Sequence, residues 1–356
     1  MGEKIIAFGP ASVANVGPFY DSMGFCLGHL GDFVIAEKNP SHCEVALLED
    51  VQGKYGWQLA KDEVKPETNC ALQAAQCLFE KIDKRKRFGI DLTLIKNMPT
   101  KSGLGSSAAS CVASVKAVMA LMGITPKELG EDLVKDALIW GERTITNHTY
   151  PDNVVPSFFG GFHITSELWH QRVRTPDFYS VIFMDGAAST PEQRVKVDNH
   201  FKEILESRSN REQNVRNILG YIRTQASYGA RTVHALLEGD LATFGKCMSL
   251  SASNFLEESR GGGIEKYYAK KRFLMEQGAL GCTISGSGPS IVCVVPDEKS
   301  ALNLRDKFIA CGDFKPKNGD KLQWLISRIN TKGSEIVDDL DEWIGRNSSY
   351  HNFWSD

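Results

Sequence analysis

This sequence predicts an α+β chain divided into two domains, on the grounds of its length, its composition and the order of its apolar patterns. At 356 residues and 39.4 kDa the chain exceeds what one hydrophobic core usually holds and falls short of three domains. Apolar residues make up 42% and charged residues 24%, which excludes a disordered chain, a coiled coil and a collagen-like rod. Short strand-like runs open the chain, and runs at helical spacing then interleave with further strands. The 41 Lys and Arg nearly balance 44 Asp and Glu, a net charge of -3, so the charge balance demands neither a nucleic acid nor an anionic membrane as partner.

Ile5 to Phe8 reads as a strand stopped by Gly9-Pro10, and the apolar runs Phe33 to Ala36 and Val45 to Leu48 alternate with turn residues. Leu72, Ala75, Leu78, Phe79 and Ile82 recur at helical spacing, and Ile90, Leu92 and Leu94 then alternate as a strand. Residues 108–122 are rich in Ala, Val and Met and stop at Gly123, the pattern of a mostly buried helix, and Asp132 to Glu142 reads as another. After the polar stretch His170 to Asp177, Tyr179 to Met184 starts a second unit with a fresh strand, and Arg211 to Ser251 is long and helix-periodic. Helical Lys266 to Gln277, a glycine and serine loop at Gly281 to Gly288, and a strand at Ile291 to Val295 follow. The expected domains are residues 1–172 and 173–356.

Nine cysteines, odd in number and without a C-x-x-C, signal neither a disulfide framework nor a zinc cluster, so a reducing, cytoplasmic setting is expected. The first residues carry no secretory or transit pattern. The longest uncharged run, Gln277 to Pro296, is broken by Gly, Ser and two Pro, so no transmembrane helix is expected.

Chemistry concentrates in Pro99-Thr100-Lys101-Ser102-Gly103-Leu104-Gly105-Ser106-Ser107, which leads from a strand into a helix of small residues. Glycines let backbone N–H groups approach an anion, a helix N-terminus adds partial positive charge, and serine hydroxyls can bond phosphate or a metal. The same residues also suit an ordinary glycine turn before a buried helix. No Walker A string occurs, and Gly103-x-Gly105-x-x-Ala108 meets the dinucleotide pattern only loosely, which leaves a dehydrogenase as the weaker reading. The protein-kinase strand and catalytic loop are missing as well.

The string P-x-x-x-G-L-G-S-S-A-A resembles the phosphate-binding loop of the galactokinase, homoserine kinase, mevalonate kinase and phosphomevalonate kinase (GHMP) superfamily. Pro10-Ala11-Ser12-Val13-Ala14-Asn15-Val16-Gly17-Pro18 and Gly281-Cys282-Thr283-Ile284-Ser285-Gly286-Ser287-Gly288-Pro289-Ser290 match its other two motifs in order and spacing. Asp21 after Asn15, the run Asp152-Asn153-Val154-Val155-Pro156 leading to Gly160-Gly161, and Arg194 and Arg260 make the chain most similar to the homoserine kinases within it. The resemblance implies an N-terminal domain like ribosomal protein S5, a C-terminal ferredoxin-like domain, ATP and Mg2+ as cofactors, and phosphorylation of the L-homoserine side-chain hydroxyl. It also implies a homodimer.

By family position, Pro99, Lys101, Ser102, Gly103, Leu104, Gly105, Ser106 and Ser107 would hold the nucleotide phosphates, with Ser106 and Glu142 on magnesium and Asn69 near the adenine. Arg194 and Arg260 would take the substrate carboxylate in bidentate fashion, Asp21 the ammonium, and Asn15 and Asn153 the hydroxyl. No general base is assigned, since a largely dissociative transition state asks for little early deprotonation. Each residue also has a plainer reading: Glu142 as a solvated helix charge, the arginines as surface ion pairs, and Asn69 as a helix N-cap. Tyr150 stands where the family usually has His, with His148 upstream, and Phe19 replaces an expected glycine. The alternatives are another small-molecule kinase of the superfamily, acting on mevalonate, a sugar or another hydroxy amino acid, and a non-catalytic binding protein on the same fold.

Overall fold

The structure, a computed structural model, describes residues 3–18, 21–51, 68–83, 87–146, 149–184, 211–253, 257, 264, 266–314 and 322–353. Its first sheet is built on two long neighbours, β1 (Lys4–Ala14) and β2 (Met23–Asn39). The second half of β2 pairs with β4 (Gly89–Ile95), which carries β3 (Val45–Val51) in parallel on its far side. The first residues of β2 pair instead with β5 (Phe162–Thr165), followed by β6 (His170–Val173). The period of two along β1 sends Ala7 to one face and Phe8 to the other, so the two faces acquire separate cores.

Helices α1 (Cys70–Phe79), α2 (Ser106–Leu121), α4 (Glu131–Thr146) and α5 (Pro151–Phe159) share a core with Ala7, Val34, Ala36, Leu92 and Leu94 of the sheet. A single turn, α3 (Pro126–Leu129), closed by a Thr125–Glu128 capping box, links α2 to α4. The small residues of α2 let it press on β1: a Cβ on Gly9 would lie 2.0 Å from the Ala109 carbonyl oxygen. That contact fixes where the N-terminus of α2, and hence the loop before it, sits on the sheet.

The second sheet takes β7 (Tyr179–Met184), β8 (Gly281–Ile284), β9 (Ser290–Val295) and β10 (Gln323–Arg328) in the order β10-β7-β9-β8, every pair antiparallel. Numbered within the domain this is 4-1-3-2 with helices on the crossovers, the ferredoxin-like arrangement expected. The crossover helices are α6 (Arg211–Glu238), α7 (Leu241–Ser253), α8 (Tyr267–Glu276) and α9 (Glu298–Ala310). The periodic stretch read from Arg211 to Ser251 is thus two helices, because Gly239 takes a left-handed φ of 76° and Asp240 caps the next helix through Thr243 N–H at 2.9 Å. Gly281 to Ile284, read as part of a loop, is a strand, since Cys282 and Ile284 are buried against β9. The loop proper is residues 285–289.

The expected division at residue 172 falls at the end of β6, but the last elements return to the first sheet. β11 (Glu335–Ile336) pairs with β1, and Trp343 of α10 (Leu340–Asn347) packs on Phe8 at 4.2 Å between ring centroids. One apolar cluster joins Val13, Phe25, Met98, Leu104 and Phe162 with Phe178, Phe244, Met248 and Val294, so the two sheets share a continuous interior. Among the described residues no helix is long and apolar enough to cross a membrane.

Candidate active site

All three glycine and serine motifs converge on one point. The loop before α2 holds three left-handed residues, Lys101 (φ 56°), Gly103 (φ 78°) and Gly105 (φ 68°). Gly105 is the N-cap of α2 and makes no side-chain cap hydrogen bond, so the first N–H groups of that helix carry the partial positive charge that favours an anion. Glycine is required at 105 on two counts. Its φ is costly for any side chain, and a Cβ there would lie 2.4 Å from Ser12 Oγ and 2.9 Å from Asn153 Oδ1.

Those two neighbours come from the first motif and from α5. Ser12 Oγ donates to Asn153 Oδ1 at 3.1 Å, and Ser12 N–H donates to the Leu104 carbonyl at 3.1 Å. Asn15, nearly buried and left-handed at φ 59°, donates its N–H to the Asp152 carboxylate at 3.1 Å. Its own carbonyl oxygen, Oδ1, accepts from Asp21 N–H at 2.8 Å. Asp21 is likewise left-handed, at φ 54°. Tyr150 opens α5, and its carbonyl accepts from Asn153 N–H at 3.1 Å. The structure therefore brings Asn15, Asp21, Tyr150 and Asn153 together beside the loop.

The final glycine loop closes over the other side. Ser285 Oγ donates to the Gly103 carbonyl and Ser290 Oγ to the Ser102 carbonyl, each at 2.7 Å. Gly286 N–H donates to the Ala14 carbonyl at 3.3 Å, so the last motif touches the other two. Ser102 Oγ is turned inward to the Pro99 carbonyl at 2.9 Å and Ser102 is nearly buried, whereas Lys101 is exposed.

Ser106 is held from below by Lys96, whose Nζ donates to Ser106 Oγ at 2.8 Å, to Ser106 O at 3.2 Å and to Ser110 Oγ at 2.8 Å. Lys96 is ion-paired with Asp32, both buried. Asp32 also accepts from Ser110 Oγ at 2.7 Å and from Asn97 N–H at 3.0 Å. Sequence reasoning does not single out Lys96 or Asp32; the available signal was a charge just before the apolar run Phe33 to Ala36 and another just after β4, which the pairing of Phe33 with Ile95 brings side by side. Asp152 was read only as part of its motif.

Glu142 is only 3% exposed, so it is not the solvated helix charge of the plainer reading. It lies with the thiols of Cys70 and Cys111 under the first turns of α2. Burial, then the neighbouring Cys70 thiol, pushes the Cys111 thiol well above its ordinary range. Asn69 does act as an N-cap, accepting from Leu72 N–H at 3.0 Å through Oδ1. Arg194, Arg260, Phe19 and His148 lie outside the described residues.

Comparison with known proteins agrees with this geometry. The model of the GHMP kinases N terminal domain matches residues 69–161, and that of the GHMP kinases C terminal domain matches 232–313. A homoserine kinase of Arabidopsis thaliana is 31% identical over 345 residues, 95% of this chain and 85% of that one. One from Pyrococcus abyssi is 28% identical over 313 residues, 88% and 94% of the two chains. The crystal structure of homoserine kinase from Cytophaga hutchinsonii superimposes with a TM-score of 0.77 at 26% identity, covering 95% of this chain and 98% of that one. The two sheets and the triple-motif junction define a GHMP kinase. Within that class, the chain belongs to the homoserine kinase family.

Proposed function

We propose that this protein is an ATP-dependent kinase that transfers the γ-phosphoryl group to the side-chain hydroxyl of L-homoserine. The observation that carries the reading is the meeting of Gly103 and Gly105 with Ser12, Asn153 and Ser285 at the start of α2, in a chain whose relatives from Arabidopsis thaliana and Pyrococcus abyssi bear that name. The main-chain N–H groups around Gly103 to Ser107 bind the triphosphate, and Lys101 at the exposed edge adds a positive charge. Pro99 and Leu104 serve as the buried footing of the loop.

Phosphoryl transfer is mostly positioning and charge neutralisation. The substrate hydroxyl attacks the γ-phosphorus, the bond to the bridging oxygen of ADP breaks, and the hydroxyl proton is lost to solvent or to the transferred phosphate. Asn15 and Asn153 aim the hydroxyl. The Asp152 hydrogen bond to Asn15 N–H and the Ser12 bond to Asn153 keep both amides fixed. Asp21 faces the substrate ammonium, and Arg194 and Arg260 bind its carboxylate. Tyr150 lines the same pocket, and Asn69, whose Oδ1 caps α1, offers its amide NH2 to the adenine.

Ser106 and Glu142 would hold magnesium, since hydroxyl and carboxylate oxygens are the donors a hard cation takes. Lys96 donates to Ser106 Oγ, so the hydroxyl proton points elsewhere. The ion would neutralise charge on the β- and γ-phosphates. Two units divided near residue 172, the second sending β11 and α10 back onto the first sheet, close the site between them, and the nine free cysteines suit a cytoplasmic enzyme. A homodimer is the assembly the family likeness favours.

An ADP-release assay with homoserine, serine, threonine and mevalonate side by side tests the reading. Turnover with homoserine at least tenfold above the others is expected. Activity only with mevalonate, or ATP and magnesium failing to raise the melting temperature, would overturn it in favour of a sister kinase or a non-catalytic binder.

A further inference from the structure

Three helices each bring one metal-binding atom to the same buried spot. Sγ of Cys70 at the start of α1, Sγ of Cys111 in α2 and a carboxylate oxygen of Glu142 in α4 all lie within 4.8 Å of one another. The three residues are 6%, 0% and 3% exposed. Cys70 Sγ donates to the Ser107 carbonyl at 3.6 Å, which places the trio directly beneath the first turn of α2.

Two sulfurs beside a carboxylate do not suit magnesium, which takes oxygens in near-octahedral array. They suit a soft cation. Zinc binds thiolate at about 2.3 Å and carboxylate oxygen at about 2.0–2.2 Å in a tetrahedron, whose edges are then about 3.4–3.8 Å. Donors already gathered within 4.8 Å need side-chain rotation to reach that geometry, with no helix displaced. Charge is conserved as well. One divalent cation replaces two thiol protons, so the trio with an ionised carboxylate carries one negative charge before and after, and burial of the ion adds no net charge.

We propose that Cys70, Cys111 and Glu142 form a binding site for a soft divalent cation of the zinc and cadmium class, and that its occupation withdraws Glu142 from magnesium and so inhibits phosphoryl transfer. The second half rests on the reading of Glu142 as a magnesium ligand; the first half does not. The two ions compete for Glu142, with no carboxylate bridging both, so inhibition should be relieved by excess magnesium.

The full chain is titrated with cadmium and the ultraviolet thiolate-to-cadmium charge-transfer band is recorded, then repeated with Cys70→Ser, Cys111→Ala and, as control, Cys43→Ser at an exposed thiol. Saturation at one equivalent is expected in the wild type and in Cys43→Ser, with the band at that equivalent lost in Cys70→Ser. A serine hydroxyl at 70 can still donate to the Ser107 carbonyl, so this variant decides the matter even where the fully buried Cys111→Ala melts early. A band that survives in Cys70→Ser, or a wild type that takes up no cadmium, overturns the site. In the ADP-release assay, one equivalent of zinc should lower wild-type turnover at least tenfold and that of Cys70→Ser less than twofold; equal inhibition of the two overturns the coupling to magnesium. A chain that never phosphorylates homoserine would refute the proposed function, while the cadmium band still decides the metal site.

Discussion

Replacing Lys96 by Met removes the cation beneath the start of α2 and leaves Asp32, fully buried, with Ser110 Oγ and Asn97 N–H as its hydrogen-bond donors. Breaking one side of a buried ion pair costs about 3–5 kcal/mol. The two hydrogen bonds that remain put the expectation at the lower end, about 3 kcal/mol. For 356 residues, an unfolding entropy of about 2.1 cal/mol/K per residue gives roughly 0.75 kcal/mol/K, so the melting temperature should fall by about 4 °C. The double variant Asp32→Asn/Lys96→Met keeps the shape and removes both charges, and should recover most of that loss, to within about 1 kcal/mol of wild type.

Calorimetry on the four proteins of the cycle measures the coupling. Activity separates a second effect: Lys96 Nζ holds Ser106 Oγ at 2.8 Å, so the KM for ATP should rise in Lys96→Met and stay high in the double variant. A Lys96→Met protein that melts within about 1 °C of wild type, or a double variant no more stable than the single, would refute the claim that Asp32 depends on this ammonium.

Three further outcomes follow from the same geometry. Gly105→Ala forces a side chain into a left-handed backbone, worth about 1–2 kcal/mol, and into Ser12 Oγ; kcat/KM for ATP should drop at least tenfold, and Ser12→Ala should restore part of the stability but not the activity. Ser285→Ala deletes the hydrogen bond to the Gly103 carbonyl, and a melting loss equivalent to about 1 kcal/mol with a severalfold higher KM for ATP is expected. Burial holds His163 and His351 down at about 4 from an ordinary 6.5. The unfolded chain takes up protons below pH 6.5 that the native rings refuse, so stability is full above that pH and falls between 6.5 and 4, by about 2 kcal/mol per ring at pH 5. Urea midpoints from pH 7.5 to 5 measure the slope, and His163→Gln should flatten it; an unchanged slope would mean that His163 is not held neutral.

The parts of this architecture that were legible in the sequence are the local ones. Residues 108–122 announced a buried helix because nearly every position is Ala, Val, Ser or Met, and α2 is buried almost all round. Tyr179 to Met184 was read to the residue, since an apolar run bounded by polar stretches has little choice but a buried strand. The short strands β5, β6 and β11 were invisible, because four residues or fewer carry no period and exist only through what they pair with. The same limit hid the buried ion pair. Asp32 and Lys96 are 64 residues apart, and each alone looks like a charge flanking a strand. Likewise Cys70, Cys111 and Glu142 lack any short ligand spacing; only the packing of three helices makes them neighbours. The motif residues were legible through their resemblance to the GHMP strings, and the positive φ found at Asn15, Gly103 and Gly105 gives a physical reason why the choice of residue there is narrow.

That distinction bears on how the site is assembled. Gly103 belongs to the first unit, yet a Cβ on it would lie 2.4 Å from the Ser285 carbonyl oxygen and 2.8 Å from that of Gly288, and its own carbonyl is held by Ser285 Oγ. The loop before α2 thus owes one wall of its shape to a strand-connecting loop of the second sheet. The shared apolar interior, with Leu104 packed in the same cluster as Val292 and Val294, couples the two further. The shape of the loop before α2 should therefore depend on the packing of the second sheet. Substitutions that loosen the second sheet far from any ligand, such as Val294→Ala at a fully buried position, should weaken nucleotide binding along with stability. A Val294→Ala protein that melts lower by an amount equivalent to about 1–2 kcal/mol but binds ATP with wild-type affinity would show that the loop holds its shape without the second unit.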